Sequence, residues 1–343
     1  MTAIEVSRAI GRWLAVWAVM VALLVLIGGA TRLTESGLSI TEWQPVSGVI
    51  PPLSEASWAA EFAKYQRIPQ YQLLNHGMSL AEFKTIFLWE YVHRLWARLL
   101  GIVLAIPLLW FAIRRRVPGD IWPRLIGLLV LLGLQGALGW WMVKSGLSER
   151  TSVSQYRLAA HLMTALALYA FTVWTAAELI EPREVRAASA DPVLTSGLMT
   201  LALLVPVTAA SGAFVAGLRA GKIYNTFPFM GAGIVPQEYG QLVPFWHNLF
   251  ENPAAVQFNH RVIATATFAL AAWIWYRARH SANSRLVRAT RLVIGAALLQ
   301  VTLGIATLLK GVPVGLGVAH QAGAVFLFTA ALLALHATGV SRE

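Results

Sequence analysis

The chain has 343 residues, 57% hydrophobic and 13% charged, with a net charge of +11 and no cysteine. A mean hydropathy of +0.61 lies outside the range of a soluble domain and specifies an integral membrane protein. The absence of cysteine excludes disulfides, thiolate metal sites and thiol nucleophiles; the positive charge reads as a topology signal carried by loop arginines, which argues against a nucleic-acid partner.

Crossing a ~30 Å hydrocarbon core takes about 18 or more apolar residues in a helix. Runs of that kind predict about eight spans, near 13–31, 84–112, 124–143, 156–180, 193–217, 256–277, 288–308 and 314–337. Arg8 and Arg12 precede the first run, which passes straight into polar sequence without an A-x-A-like cleavage site, so it reads as a retained span. No Arg- and Ser-rich leader is present, and a bacterial plasma membrane is the expected location.

Within the long polar segment 32–83, "SEASWAAEFAKYQ" has helical periodicity and is expected on the membrane surface. Ser79 and Glu82 then form a capping box, with Met78 and Phe83 placed as a hydrophobic staple, so the second span is predicted to start as a helix above the bilayer. It carries "LWEYVHRLWARLLG" at 88–101, with Glu90, His93, Arg94 and Arg98 inside an apolar run. Arg114, Arg115, Arg116 and Arg124 follow span 2, Arg183 and Arg186 follow span 4, and Arg277, Arg279, Arg285, Arg288 and Arg291 follow span 6. By the positive-inside rule these loops and both termini are cytoplasmic, and the long loops 32–83 and 218–255 are external.

The two halves repeat. "EYVHRL" at 90–95 matches "QFNHRV" at 257–262, "LQGALG" at 134–139 matches "LQVTLG" at 299–304, and "RLAAHLMTA" at 157–165 matches "LGVAHQAGA" at 316–324. Each half also opens with a span ending in small residues, "GGAT" or "SGAF", before a long external loop. The expected fold is therefore an all-α integral membrane protein: two tandem four-helix bundles, 1–186 and 187–343, related by a pseudo-twofold axis along the membrane normal.

Four histidines stand at matched places, His93 and His161 in the first half and His260 and His320 in the second, each within about two helical turns of the external end of its span. Facing imidazoles from helices two and four of a bundle suit the axial positions of a haem iron. A lone intramembrane histidine is often just an interhelical hydrogen-bonding residue, but four at repeated positions and one depth fit haem ligation better. Zinc is the rival metal, and the second half offers no carboxylate or thiolate to complete a tetrahedral set. Arg94 and Arg261 each follow a ligand candidate directly; they are candidates for pairing with haem propionates, against a plain snorkelling role.

The repeat breaks at Glu90, whose counterpart is Gln257. One reading is a structural Glu90–Arg94 pair. The other makes the first half the reacting site, where a carboxyl could move protons beside a haem-type substrate while the second half holds a permanent haem.

"GGATRLTESGLSITEWQPVSGVIPP" at 28–52, "EYVHR" at 90–94, "AGLRAGKIYNTFPFM" at 216–230 and "NHR" at 259–261 together resemble the heme A synthase family over nearly the whole chain. The lack of a cysteine pair in the external loops is similar to the branch containing the mitochondrial enzymes. The resemblance implies oxidation of a ring methyl of heme O to the formyl group of heme A, for assembly of aa3-type cytochrome oxidase. It implies that His93 and His161 serve the substrate haem, that His260 and His320 hold heme b, and that Glu90 takes part in catalysis. The implied partners are heme O, handed over by heme O synthase, an electron acceptor or donor, and membrane lipid; assembly into a homo-oligomer is left open. The competing readings are a quinol-reactive dihaem b-type cytochrome, which needs the same four histidines, and a repeat-built transporter.

Overall fold

Helix starts are set by local chemistry. At the head of α1 (Ala3–Leu33), the Thr2 hydroxyl accepts from the Glu5 N–H and the Glu5 carboxylate accepts from the Thr2 N–H, so the helix begins well before the apolar run that predicts it. The Ser79–Glu82 box forms as expected at the head of α4 (Leu80–Ile113), with Met78 packed beside buried Phe83. The surface segment becomes α2 (Glu55–Tyr65), followed by the short α3 (Pro69–Leu73). The remaining helices are α5 (Trp122–Ser148), α6 (Gln155–Ile180), α7 (Pro192–Gly217), α8 (Pro253–Ala278), α9 (Ser284–Leu309) and α10 (Val314–His336). This computed structural model describes residues 2–45, 47–114, 117–148, 150–181 and 191–339. Arg115, Arg116, Arg183, Arg186 and the boundary between 186 and 187, all used in the sequence reading, lie outside the described residues.

The chain is an all-helical, multi-pass membrane protein: among the described residues seven helices are long and apolar enough to cross a bilayer. The sequence reading counts about eight. The difference is α8, as long as its neighbours but diluted by Gln257, Asn259, His260, Arg261, Thr265 and Thr267.

Helix packing follows one pattern twice. In the first half α1 packs on α4 and α6, α5 on α6, and α4 more lightly on α5; in the second α7 packs on α8 and α10, α9 on α10, and α8 on α9. The halves meet where α6 faces α7, α1 faces α10 and α6 faces α10, a set of contacts unchanged when the two halves are exchanged. The seam is hydrogen-bonded: Gln321 donates to the Val25 carbonyl at 2.9 Å, Tyr169 and Thr329 share a 2.7 Å hydroxyl contact, and Arg32 donates to the Ala216 carbonyl at 2.7 Å.

The ends of α1 and α7 fix the register between the halves. Each cap is followed by a non-glycine residue in the left-handed region, Glu35 at φ 58° and Arg219 at φ 53°, and these two side chains pair with each other at 2.8 Å. Leu33 thus corresponds to Gly217 and Glu35 to Arg219.

The apolar core lies in the membrane-embedded part, around Leu14, Trp17, Leu100, Leu104, Leu128, Leu198 and Ile274. The indole N–H groups of Trp17, Trp13 and Trp96 tie α1 to α4, donating to the carbonyls of Leu100, Val103 and Met20 at 2.9, 3.0 and 2.9 Å. Trp17 is fully buried. Trp17→Ala leaves a cavity at the α1–α4 contact and is expected to cost about 3–5 kcal/mol, seen as a lowered midpoint in a thermal melt of the detergent-solubilised protein. A midpoint equal to wild type would mean that this contact does not hold the first half together.

Candidate functional site

His161, His260 and His320 lie about two turns from the starts of α6, α8 and α10. His93 lies deeper into α4, because the first turns of that helix pack against the loop that joins α1 to α4. There Phe83 and Phe87 pack with Leu38, Tyr65 and Ile68 of the segment joining α1 to α4. The extra turns bring His93 level with its partners. His93 and His161 come within electrostatic reach of each other, and so do His260 and His320, so the expected pairs are brought together.

Each imidazole lies against a glycine of the neighbouring helix. A methyl group built on Gly28 of α1 would sit 3.4 Å from the His93 ring, on Gly139 of α5 3.1 Å from His161, on Gly212 of α7 3.2 Å from His260, and on Gly304 of α9 2.8 Å from His320. Any other residue at the tighter of these places would push the ring aside. The sequence reading missed all four glycines, although "LQGALG" and "LQVTLG" both end in one of them.

The ring nitrogens fit a ligand role. Nδ1 of His161 and Nδ1 of His320 have no hydrogen-bond partner among the described residues and are shielded from solvent. Gln135 and Gln300 occupy matched places beside them; Gln135 donates to the His161 carbonyl at 2.9 Å, and the amide oxygens of both glutamines are buried without a partner. No group of three or more His, Asp or Glu side chains able to hold a metal occurs among the described residues, so the donor set offers two imidazoles per half and not a tetrahedral zinc site. A pair of imidazoles in each half, each ring set against a glycine of the neighbouring helix, fits the residues that would hold a haem.

Glu90 is buried, and four donors satisfy its carboxylate. One oxygen accepts from Arg94 Nη2 at 2.7 Å and Nε at 3.1 Å; the other accepts from the Ser39 hydroxyl at 2.7 Å and the Ile40 N–H at 2.8 Å. Arg94 also donates to the carbonyls of Ile40 at 2.8 Å and Glu42 at 2.9 Å, and Arg98 to those of Gln44 at 2.7 Å and Pro45 at 2.9 Å. Together they fasten the segment that joins α1 to α4 onto α4. Outside this fastening lies a cavity of about 260 Å³ bordered by Phe87, Tyr91, Arg94, Arg98 and Pro51.

The second half fastens its loop at the same positions without a carboxylate. Gln257 donates to the Tyr224 carbonyl at 3.1 Å, and Arg261 donates to the carbonyls of Tyr224 at 3.0 Å and Pro228 at 3.4 Å. The Tyr224 hydroxyl donates in turn to Glu238 at 2.6 Å, which holds that carboxyl below its ordinary range. Arg261 Nε stays buried without a partner, whereas Arg94 has four of its five N–H groups committed to Glu90 and loop carbonyls.

Three of the remaining histidines pack locally. His76 tilts against Tyr71, His247 lies 4.0 Å from Glu251, and His336 is buried 3.8 Å from Glu178 with its ring edge-on to Trp174.

The family model described as cytochrome oxidase assembly protein (COX15-CtaA) matches residues 11–332. The chain is 47% identical over 329 residues to the heme A synthase of Parvibaculum lavamentivorans, covering 96% of this chain and 94% of that protein. It is 49% identical to the heme A synthase of Rhodospirillum centenum, covering 96% and 88%, and 47% identical to that of Nitrosospira multiformis, covering 96% and 94%.

The glycine contacts make a graded expectation. Gly304→Ala puts a methyl group 2.8 Å from the His320 ring, whereas Gly28→Ala makes an ordinary contact at 3.4 Å. In protein purified from haem-replete cells, the first variant should lose most of its second-half haem absorbance per chain and the second should keep its full complement. Equal haem content in the two would show that ring placement does not depend on these glycines.

Proposed function

We propose, for a chain that belongs to the COX15-CtaA family of cytochrome oxidase assembly proteins, that it oxidises a ring methyl of heme O to the formyl group of heme A. The product is the one in the name of its relatives, each called heme A synthase. The observation that carries the assignment of roles is the pairing of imidazoles in both halves, with an acid beside only one pair.

In this reading the first half, 1–186, takes heme O between His93 and His161, and the second half, 187–343, keeps heme b between His260 and His320. The methyl carbon is oxidised twice, through a hydroxymethyl stage to the aldehyde, a net four-electron oxidation of that carbon. An external acceptor takes the electrons. Heme b, when bound, supplies a one-electron carrier between substrate and acceptor.

The residues of the chain orient the substrate and handle protons. Among the described residues Glu90 is the acid on the same helix face as His93, one turn before it, and it is the group proposed to exchange a proton with the reacting edge once one of its four donors lets go. Gln257 has no proton to exchange there and leaves the second half without that chemistry. The free donors of Arg261, and the single N–H left on Arg94, are the cations available to haem propionates. Arg94 also keeps the loop closed over the substrate, which excludes water from the reacting edge.

The same reading orients the molecule. Arg114, Arg124, Arg277, Arg279, Arg285, Arg288 and Arg291 mark the cytoplasmic side, α8 crosses as an eighth span beside α7 and α9, both termini are cytoplasmic, and the haem pairs lie near the external face.

Chromatographic identification of haems in the protein co-produced with a heme O source tests the assignment. Heme b together with newly formed heme A is expected. Heme b alone, with no conversion of added heme O, would identify a dihaem electron-transfer cytochrome, and a colourless protein would favour transport. Glu90→Gln should retain bound haem while heme A formation falls by about 100-fold or more; an undiminished yield removes Glu90 from the chemistry.

A further inference from the structure

The halves differ behind the histidine of their second long helix. Ser211 Oγ lies 2.8 Å from His260 Nδ1 and 2.7 Å from the Thr208 carbonyl. A hydroxyl has one proton to give, and a carbonyl can only accept. With the Ser211 proton on the Thr208 carbonyl, Ser211 is left to accept from His260, whose ring also faces that carbonyl. In that arrangement Nδ1 of His260 carries the hydrogen and Nε2 holds the lone pair, the form of imidazole that binds iron.

The register set by the ends of α1 and α7 pairs Ser211 with Ile27, because Glu35 answers to Arg219 and ring-facing Gly28 to ring-facing Gly212. Laying "GGAT" beside "SGAF" is off by one residue and hides this. Ile27 has no polar side-chain atom to offer His93. The ring also stands differently: Gly28 is nearest His93 Nε2, whereas Gly212 is nearest His260 Cε1, with Nδ1 next.

We propose that Ser211 is a positioning residue that fixes His260 as a lasting iron ligand, and that Ile27 at the matching place leaves His93 free to let its haem go. The proposal rests on the reading of His93 and His260 as ligands. It follows from what each half must do: heme A made in the first half has to leave, while the haem of the second half has to stay. A hydrogen bond accepted from Nδ1–H strengthens the donor character of Nε2 and favours ferric iron, which lowers the reduction potential. Without it the ring is weaker as a ligand and free to turn.

Three variants of the full-length protein test this. Ser211→Ala should still bind heme b, but with a more positive midpoint potential in spectroelectrochemical titration. Its heme b should pass to excess apomyoglobin about ten-fold faster or more. Ser211→Thr keeps a hydroxyl and should restore both values. Ile27→Ser should slow transfer of first-half haem to the same scavenger without altering the heme b potential. Unchanged potential and transfer rate in Ser211→Ala, or failure of Ser211→Thr to restore them, overturns the proposal for His260; unchanged first-half transfer in Ile27→Ser overturns it for His93. A wild-type spectrum in His260→Ala would mark failure of the ligand assignment itself, a different result from any of these.

Discussion

An imidazole packed against a neighbouring helix keeps its place only if that helix leaves room for the ring at its level. All four paired histidines meet this condition, each against a glycine of the preceding long helix. The constraint is steric and local, and it ties together helices that are neighbours in the bundle: α1 with α4, α5 with α6, α7 with α8, and α9 with α10. The indole anchors of Trp13, Trp17 and Trp96 hold the first of these contacts at a fixed level. The position of the rings thus depends on the apolar packing beneath them as much as on the histidines themselves.

One residue after His93 or His260 and three before it, both halves tie down a long loop. In the second half neutral Gln257 and Arg261 donate to loop carbonyls. In the first half the corresponding residues form a buried ion pair that the loop completes through Ser39 and Ile40. A carboxamide does this mechanical job, so fastening alone does not require a carboxylate. Burying one is costly unless every lone pair is met, as it is here. A charge stands where a neutral group would serve, and the chemical role proposed for Glu90 rests on that difference.

Much of this was legible in the sequence where the signal is local. The capping box at Ser79 and Glu82, the surface helix, the apolar runs and the repeated histidines all depend on neighbours a few residues apart, and they appear where expected. The count of membrane-type helices was less secure, since the polar residues that give α8 its interest also dilute its apolarity. The partners of Glu90 were not legible, because Ser39 and Ile40 lie about fifty residues away and reach it only after the segment that joins α1 to α4 folds back. The glycine contacts and the Ser211 contact were hidden for a related reason: they require knowing which faces of two helices meet, and a one-residue slip in aligning the halves exchanges a serine for a glycine.

The central claim is that His260 and His320 bracket one iron. Low-temperature electron paramagnetic resonance of the oxidised protein tests it most directly. The account expects a low-spin ferric signal of the bis-imidazole type that disappears in His260→Ala and in His320→Ala alike and persists in His93→Ala. A signal that survives the loss of both second-half histidines would contradict it.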